Sequence, residues 1–139
     1  MQRRQIGSYW VLAAGILMVI LGMIHNAATK EVYYSGYDKL PLHHGWVFIY
    51  MFLAVGTAVI FAGGLVIYCS FGLRRSERWS WIIALAVGGF VVILVCGAVM
   101  VMPGNPFAYI GLALAILEIL PLIIFYNEFT NISENMDSG

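Results

Sequence analysis

The sequence predicts an all-α integral membrane fold: four transmembrane helices in an up-down-up-down bundle with both termini cytoplasmic. Three observations carry that expectation. Apolar runs of about 20 residues or more recur four times, the length a helix needs to cross the hydrocarbon of a bilayer. Charged residues are only 10% of the chain and hydrophobic ones 62%, whereas a soluble domain needs roughly 25% charged residues to face water. Arg3, Arg4, Arg74, Arg75 and Arg78 lie beside one face and only Lys30 and Lys39 beside the other. The positive-inside bias makes the arginine face cytoplasmic.

Span one runs from about Tyr9 to Ala28. Basic residues before an apolar stretch also describe a signal peptide, but this stretch is long for one and Asn26 stands where cleavage wants a small residue. The segment is expected to be retained. Span two covers Trp46 to Phe71, with Gly72 suited to the position just past a helix end. Span three covers Trp79 to Met102, with Ser76 placed to cap it and Glu77 in its first turn. Span four covers Phe107 to Tyr126, and Asn105-Pro106 sets a capping side chain before a first-turn proline. Tyr9, Trp10, Tyr68, Trp79, Trp81 and Tyr126 mark one membrane interface, and Trp46, Tyr50 and Tyr109 the other. The belts and the arginines give the same orientation.

Short connections make sequential helices antiparallel neighbours, so residues 1–139 read as a single four-helix domain with a flexible polar tail over 127–139. Asn131-Ile132-Ser133 in that tail matches a glycosylation acceptor, which a cytoplasmic segment never presents to the modifying machinery. Helix packing is expected through small residues: Gly15 and Gly22 in span one, Ala54, Ala58 and Ala62 in span two, Ala84 and Gly88 in span three, Gly111 and Ala115 in span four. The stretch from Thr29 to Gly45, with Tyr33, Tyr34 and Tyr37, reads as a flap lying on the headgroups. Net charge is zero, which gives no reason to expect nucleic acid as a partner.

Two groups of residues could carry chemistry. His25, His43 and His44 all fall at the outer end, at a depth shared with Met23, Met51, Met100, Met102 and Tyr109. Imidazole and thioether suit haem iron or copper, and imidazole suits zinc, so these histidines are the candidate haem, metal or quinone site. Against that stands the lack of any helical histidine pair at spacing four. Hydrogen bonding at the interface is the reading that accounts for them best.

Glu118 is the other candidate, and the more expensive residue. Near the middle of span four a carboxylate costs at least about 2.5 kcal/mol unless it is protonated, paired or wetted, and no lysine or arginine lies within a span to pair with it. The neutral acid, bonded to Thr57 of span two or to a carbonyl, is the expected state, with Gly88 and Gly89 close to that level. Pro121 adds to the case by leaving the Leu117 carbonyl without its helical donor. Glu118 is therefore a candidate proton or ligand site with Thr57 as its partner. Cys69 and Cys96 are expected at different depths, too far apart to bridge, as buried packing residues.

Cys-x-x-Cys, a glycine-rich phosphate loop and a Ser/His/Asp set are all missing from the sequence. Nothing recommends an autonomous enzyme. Gly22-Met23-Ile24-His25 closing span one, Trp46-Val47-Phe48 opening span two, the Arg74 to Arg78 turn into Trp79, and Met102-Pro103 closing span three give the chain its outline. In that outline it resembles the small four-span membrane proteins of bacteria and archaea, including the DoxX-like group. The resemblance implies a four-helix fold and transfers no site residue.

The leading expectation is a small non-catalytic protein of the prokaryotic cytoplasmic membrane, an accessory subunit packing against a larger membrane protein or another copy of itself, with no resident cofactor. Two alternatives belong to other classes. One is a redox- or quinone-linked module in which the histidines hold haem, copper or a quinone. The other is a small transporter or lipid-ligand binder centred on Glu118.

Overall fold

The computed structural model describes residues 3–37, 39 and 41–130. Helices α1 (Arg3–Val32), α2 (Leu42–Arg74), α3 (Arg78–Val101) and α4 (Pro106–Ile124) are each long and apolar enough to cross a membrane. A π-helical turn, Tyr33–Tyr37, follows α1, and a short helix α5 (Tyr126–Thr130) follows α4. No strand occurs among the described residues.

Helices α1 and α2 outlast the apolar runs that announce them, whereas α3 and α4 match theirs to within two residues. An apolar run marks the hydrocarbon, whereas backbone hydrogen bonding continues into the wetter interface, so α1 starts at Arg3 and α2 at Leu42. The flap expected over Thr29 to Gly45 is thereby largely helical. Gly72 lies inside α2 and does not end it, with its carbonyl accepting from the backbone of Arg75 and Glu77. Ser76 does not cap α3: it adopts a left-handed φ of 60°, and its hydroxyl accepts instead from Arg4 Nη1. Glu77 precedes α3 and makes no side-chain cap bond. Asn105 does cap α4, accepting from Phe107 N at 3.0 Å.

Packing is closest between α1 and α2. A Cβ at Gly15 would lie 2.9 Å from the Gly63 carbonyl oxygen, and one at Gly22 would lie 2.7 Å from that of Gly56. Seven residues up α1 match seven residues down α2, so the two run antiparallel on a coiled-coil repeat. The same step carries the seam on to small buried side chains, Ser8 and Thr29 of α1 and Ser70 of α2. The α2 half of this seam is not the one expected from alanine: Ala54 is exposed and Ala58 half-buried, while Ala62 is buried. Alanines spaced four apart drift around the helix, whereas Gly56 and Gly63 stay on one side of a 3.5-residue repeat.

Helix α3 packs antiparallel on α4, with Gly88 against Ile119 and Gly111 against Val95. The arginine end is clamped. Arg4 reaches Ser76, the Arg74 guanidinium stacks 4.3 Å above the Tyr9 ring, and Phe125 and Phe129 close over Gly7. Trp81 Nε1 donates to the Leu122 carbonyl at 2.9 Å, and its ring meets Tyr126 edge-on. Core residues Val11, Val66, Ala84 and Ala115 fill the level above the clamp. Cys69 is buried there as expected, but Cys96 faces outward on α3, and both are free thiols.

Candidate functional site

Where the clamp and core end, the helices enclose a hollow. A cavity of about 380 Å³ opens among α1, α2, α3 and α4 at the histidine end, with Met18 and Val91 at its inner limit. That is within the range of small-molecule sites, about 300–1,000 Å³. Among the described residues, only His25 and Asn105 bring side-chain nitrogen or oxygen to the wall. Asn105 spends its oxygen on the α4 cap, so the imidazole and the Asn105 amide nitrogen are the polar groups left on an otherwise apolar described wall.

His25 is held from three sides. Its ring stacks on Phe52 with centroids 3.9 Å apart and meets Phe107 edge-on at 5.3 Å. Nε2 lies 3.2 Å from the Phe52 carbonyl oxygen. A carbonyl only accepts, so Nε2 carries the proton and Nδ1 keeps the lone pair. Gly56 makes the arrangement feasible, because a Cβ there would come 3.0 Å from the His25 ring and collide with the Asn26 amide. The next residue of α1 completes the docking: Asn26 Nδ2 donates to Thr57 Oγ1 at 3.3 Å.

Of the other two histidines, His44 does not line the cavity. His44 is exposed in the first turn of α2, and the side chain of His43 lies outside the described residues. Of the methionines grouped with them by depth, Met51 and Met102 line the cavity, and Met23 and Met100 are exposed. Among the described residues no three His, Cys, Asp or Glu side chains come together as a metal-holding group.

Glu118 lies deeper, inside the packed half. It is completely buried, and neither carboxyl oxygen has a hydrogen-bond partner. A Cβ on Gly88 would lie 3.1 Å from Oε2, so the missing side chain of that glycine provides the carboxyl's space. The expected bond to Thr57 is not formed, because Thr57 is exposed and serves Asn26 at the histidine end. Counting residues inward from each span edge assumes helices that start at one height, and α2 extends further past its apolar run than α4 does.

No protein-family model matches the chain, and no curated protein or solved structure matches it. The site must be read from its own geometry. Of the packing residues expected, Gly15, Gly22, Ala62, Ala84, Gly88, Gly111 and Ala115 are buried between helices. Sequence reasoning did not assign Gly56, Gly63 or Asn26 to the contact between α1 and α2. The seven-residue spacing of small residues from Ser8 through Gly15 and Gly22 to Thr29 was the available signal for the seam.

Proposed function

We propose that this protein is a non-catalytic integral membrane protein of the prokaryotic cytoplasmic membrane, an up-down-up-down bundle with cytoplasmic termini that holds a small apolar ligand near its outer face. The observation that carries the reading is the apolar cavity with one imidazole on its wall. Apolar lining supplies affinity by burial, while a single polar group fixes orientation. Because Nε2 is committed to Phe52, His25 offers an acceptor at Nδ1. The fitting ligand class is an apolar molecule bearing a hydroxyl, a quinol or an isoprenoid alcohol, which joins the quinone-linked and lipid-ligand expectations at the outer site rather than at Glu118. The outline likeness to DoxX-like proteins supports the four-helix part of this reading.

The test is extraction and mass spectrometry of small molecules carried by protein purified in mild detergent. Retention of a quinol or isoprenoid alcohol by the native chain, and its loss in Ala98→Phe, which fills the cavity, is the expected result. Equal retention by both chains would overturn the assignment.

A second reading, the accessory subunit, has its own support. Gly64, Gly89 and Gly97 face open space, with nothing within 4 Å of an added Cβ, and Ala54 is exposed on α2. Helices of a larger membrane protein or of a second copy can approach closely at such positions. Gly64→Leu and Gly97→Leu should then release a co-purifying subunit while leaving the cavity ligand in place.

A further inference from the structure

The chamber beside His25 is open on one flank. A Cβ at Gly72 of α2 would fall on the Ser80 hydroxyl of α3, which fixes the register of this antiparallel pair. Residue numbers rise along one helix as they fall along the other, so counting outward pairs Ala62 with Val91, Val59 with Leu94, Val55 with Ala98 and Met51 with Val101. The first pair is shut, at 5% and 2% exposed. The next two pairs are half-buried, and the last stands 61% and 79% exposed. The α2–α3 seam is therefore zipped at depth and parts over about 12 Å towards the histidine end.

The gap belongs to the chamber, because all six residues of the three outer pairs line the cavity. They lie on neither of the close-packed faces. Leu94, Ala98 and Val101 fall about 80–140° round α3 from Gly88, which meets α4, and Val59, Val55 and Met51 fall about 60–140° round α2 from Gly56, which meets α1. The end of the chamber is different. There the His25 ring is stacked on Phe52 and edge-on to Phe107, and Phe48 packs on Phe52 with centroids 5.7 Å apart. Rings roof the end, while the flank is a slot edged by six apolar side chains. Ile93 and Met100 beside it on α3 are 75% and 83% exposed, so the slot gives onto the surface that hydrocarbon covers.

We propose that the ligand enters sideways from the bilayer and is a polyprenyl-tailed molecule, its hydroxyl-bearing head under the aromatic roof at His25 and its tail leaving through the slot between α2 and α3. An opening of this kind has nothing to offer a water-borne solute, whereas a hydrocarbon chain crosses it without losing its apolar surroundings. The inference rests on the cavity reading above and adds to it the tail and the route.

The experiment is photolabelling of the full chain in mild detergent with a polyprenyl quinol that carries a diazirine part-way along its tail, followed by peptide mapping. The competitor is an excess of the same quinol ring with a methyl group in place of the tail. Labelling is expected within Met51–Val59 and Leu94–Val101, and the competitor should abolish it by taking the head's place at His25. Label on Phe48 or Phe107 would mean that the tail leaves through the roof, and would overturn the proposal. Label in the slot that survives the competitor would also overturn it, by showing that the tail lies on the outer surface without a head in the chamber. Native mass spectrometry of the same sample separates the two readings. If the tailless quinol is retained but no displaceable label forms, the slot fails and the cavity reading stands; if the tailless quinol is not retained either, both fail.

Discussion

Replacing Glu118 with leucine should make this protein more stable. The carboxyl is completely buried and neither oxygen is hydrogen-bonded, so even the neutral acid carries a desolvation cost of about 1–3 kcal/mol that folding does not recover. Leucine fills a similar volume without polar atoms, and the mismatch of shape against Gly88 and Ile119 returns up to about 1 kcal/mol of that gain. The net expectation is a stabilisation of about 1–2 kcal/mol, or several degrees in the unfolding midpoint. Glu118→Gln keeps two polar atoms in the same place and should move the midpoint little. The assay is thermal unfolding of both variants and the native chain in one detergent, followed by tryptophan fluorescence. A Glu118→Leu midpoint several degrees below the native one would refute the reasoning, since it would mean that the carboxyl is bonded in the working protein.

Other outcomes follow from the same geometry. Gly22→Leu should cost about 3 kcal/mol or prevent assembly, because its Cβ would press on the Gly56 carbonyl, while Gly89→Ala, facing open space, should unfold at the native temperature. Trp81→Phe removes the bond to the Leu122 carbonyl and should lower stability by about 1 kcal/mol in denaturant titration. His25→Phe keeps the ring stacking but loses the bond to Phe52, so it should fold with a comparable loss and retain less of the cavity ligand on extraction. A reporter enzyme fused after Asn135 should read cytoplasmic; a signal from the opposite side would reverse the orientation inferred from the arginines.

The four helices were legible because length and apolarity alone identify segments able to span a bilayer, and each was found where its run lies. Their ends were less legible: Ser76 looks like a cap by residue type, yet an arginine 72 positions away in the chain claims its hydroxyl. Glu118 stood out in the sequence through its cost, and its burial against Gly88 follows from that cost. Its missing bond to Thr57 depended on the relative heights of α2 and α4, which a linear count does not encode. The cavity was illegible for a different reason. It is made by side chains from four helices failing to meet, and no single segment records a space between segments. His25 could be singled out, but its fixed tautomer needed the Phe52 carbonyl, exposed to it by Gly56 on another helix.

The clamp at the arginine end gives the bundle uneven mechanics. Arg74 over Tyr9, Arg4 on Ser76, Trp81 on Leu122 and the two phenylalanines over Gly7 join all four helices at one extremity, whereas the other extremity surrounds a hollow. The structure is stiff at its root and compliant at its mouth. Thermal motion should therefore concentrate in a splaying of the α1–α2 pair from the α3–α4 pair, with amide exchange slowest around Val11 and Ala84 and faster towards Phe107. A chamber hinged in this way can admit a bulky guest by tilting two helix pairs apart, without unwinding any helix or opening the glycine seam.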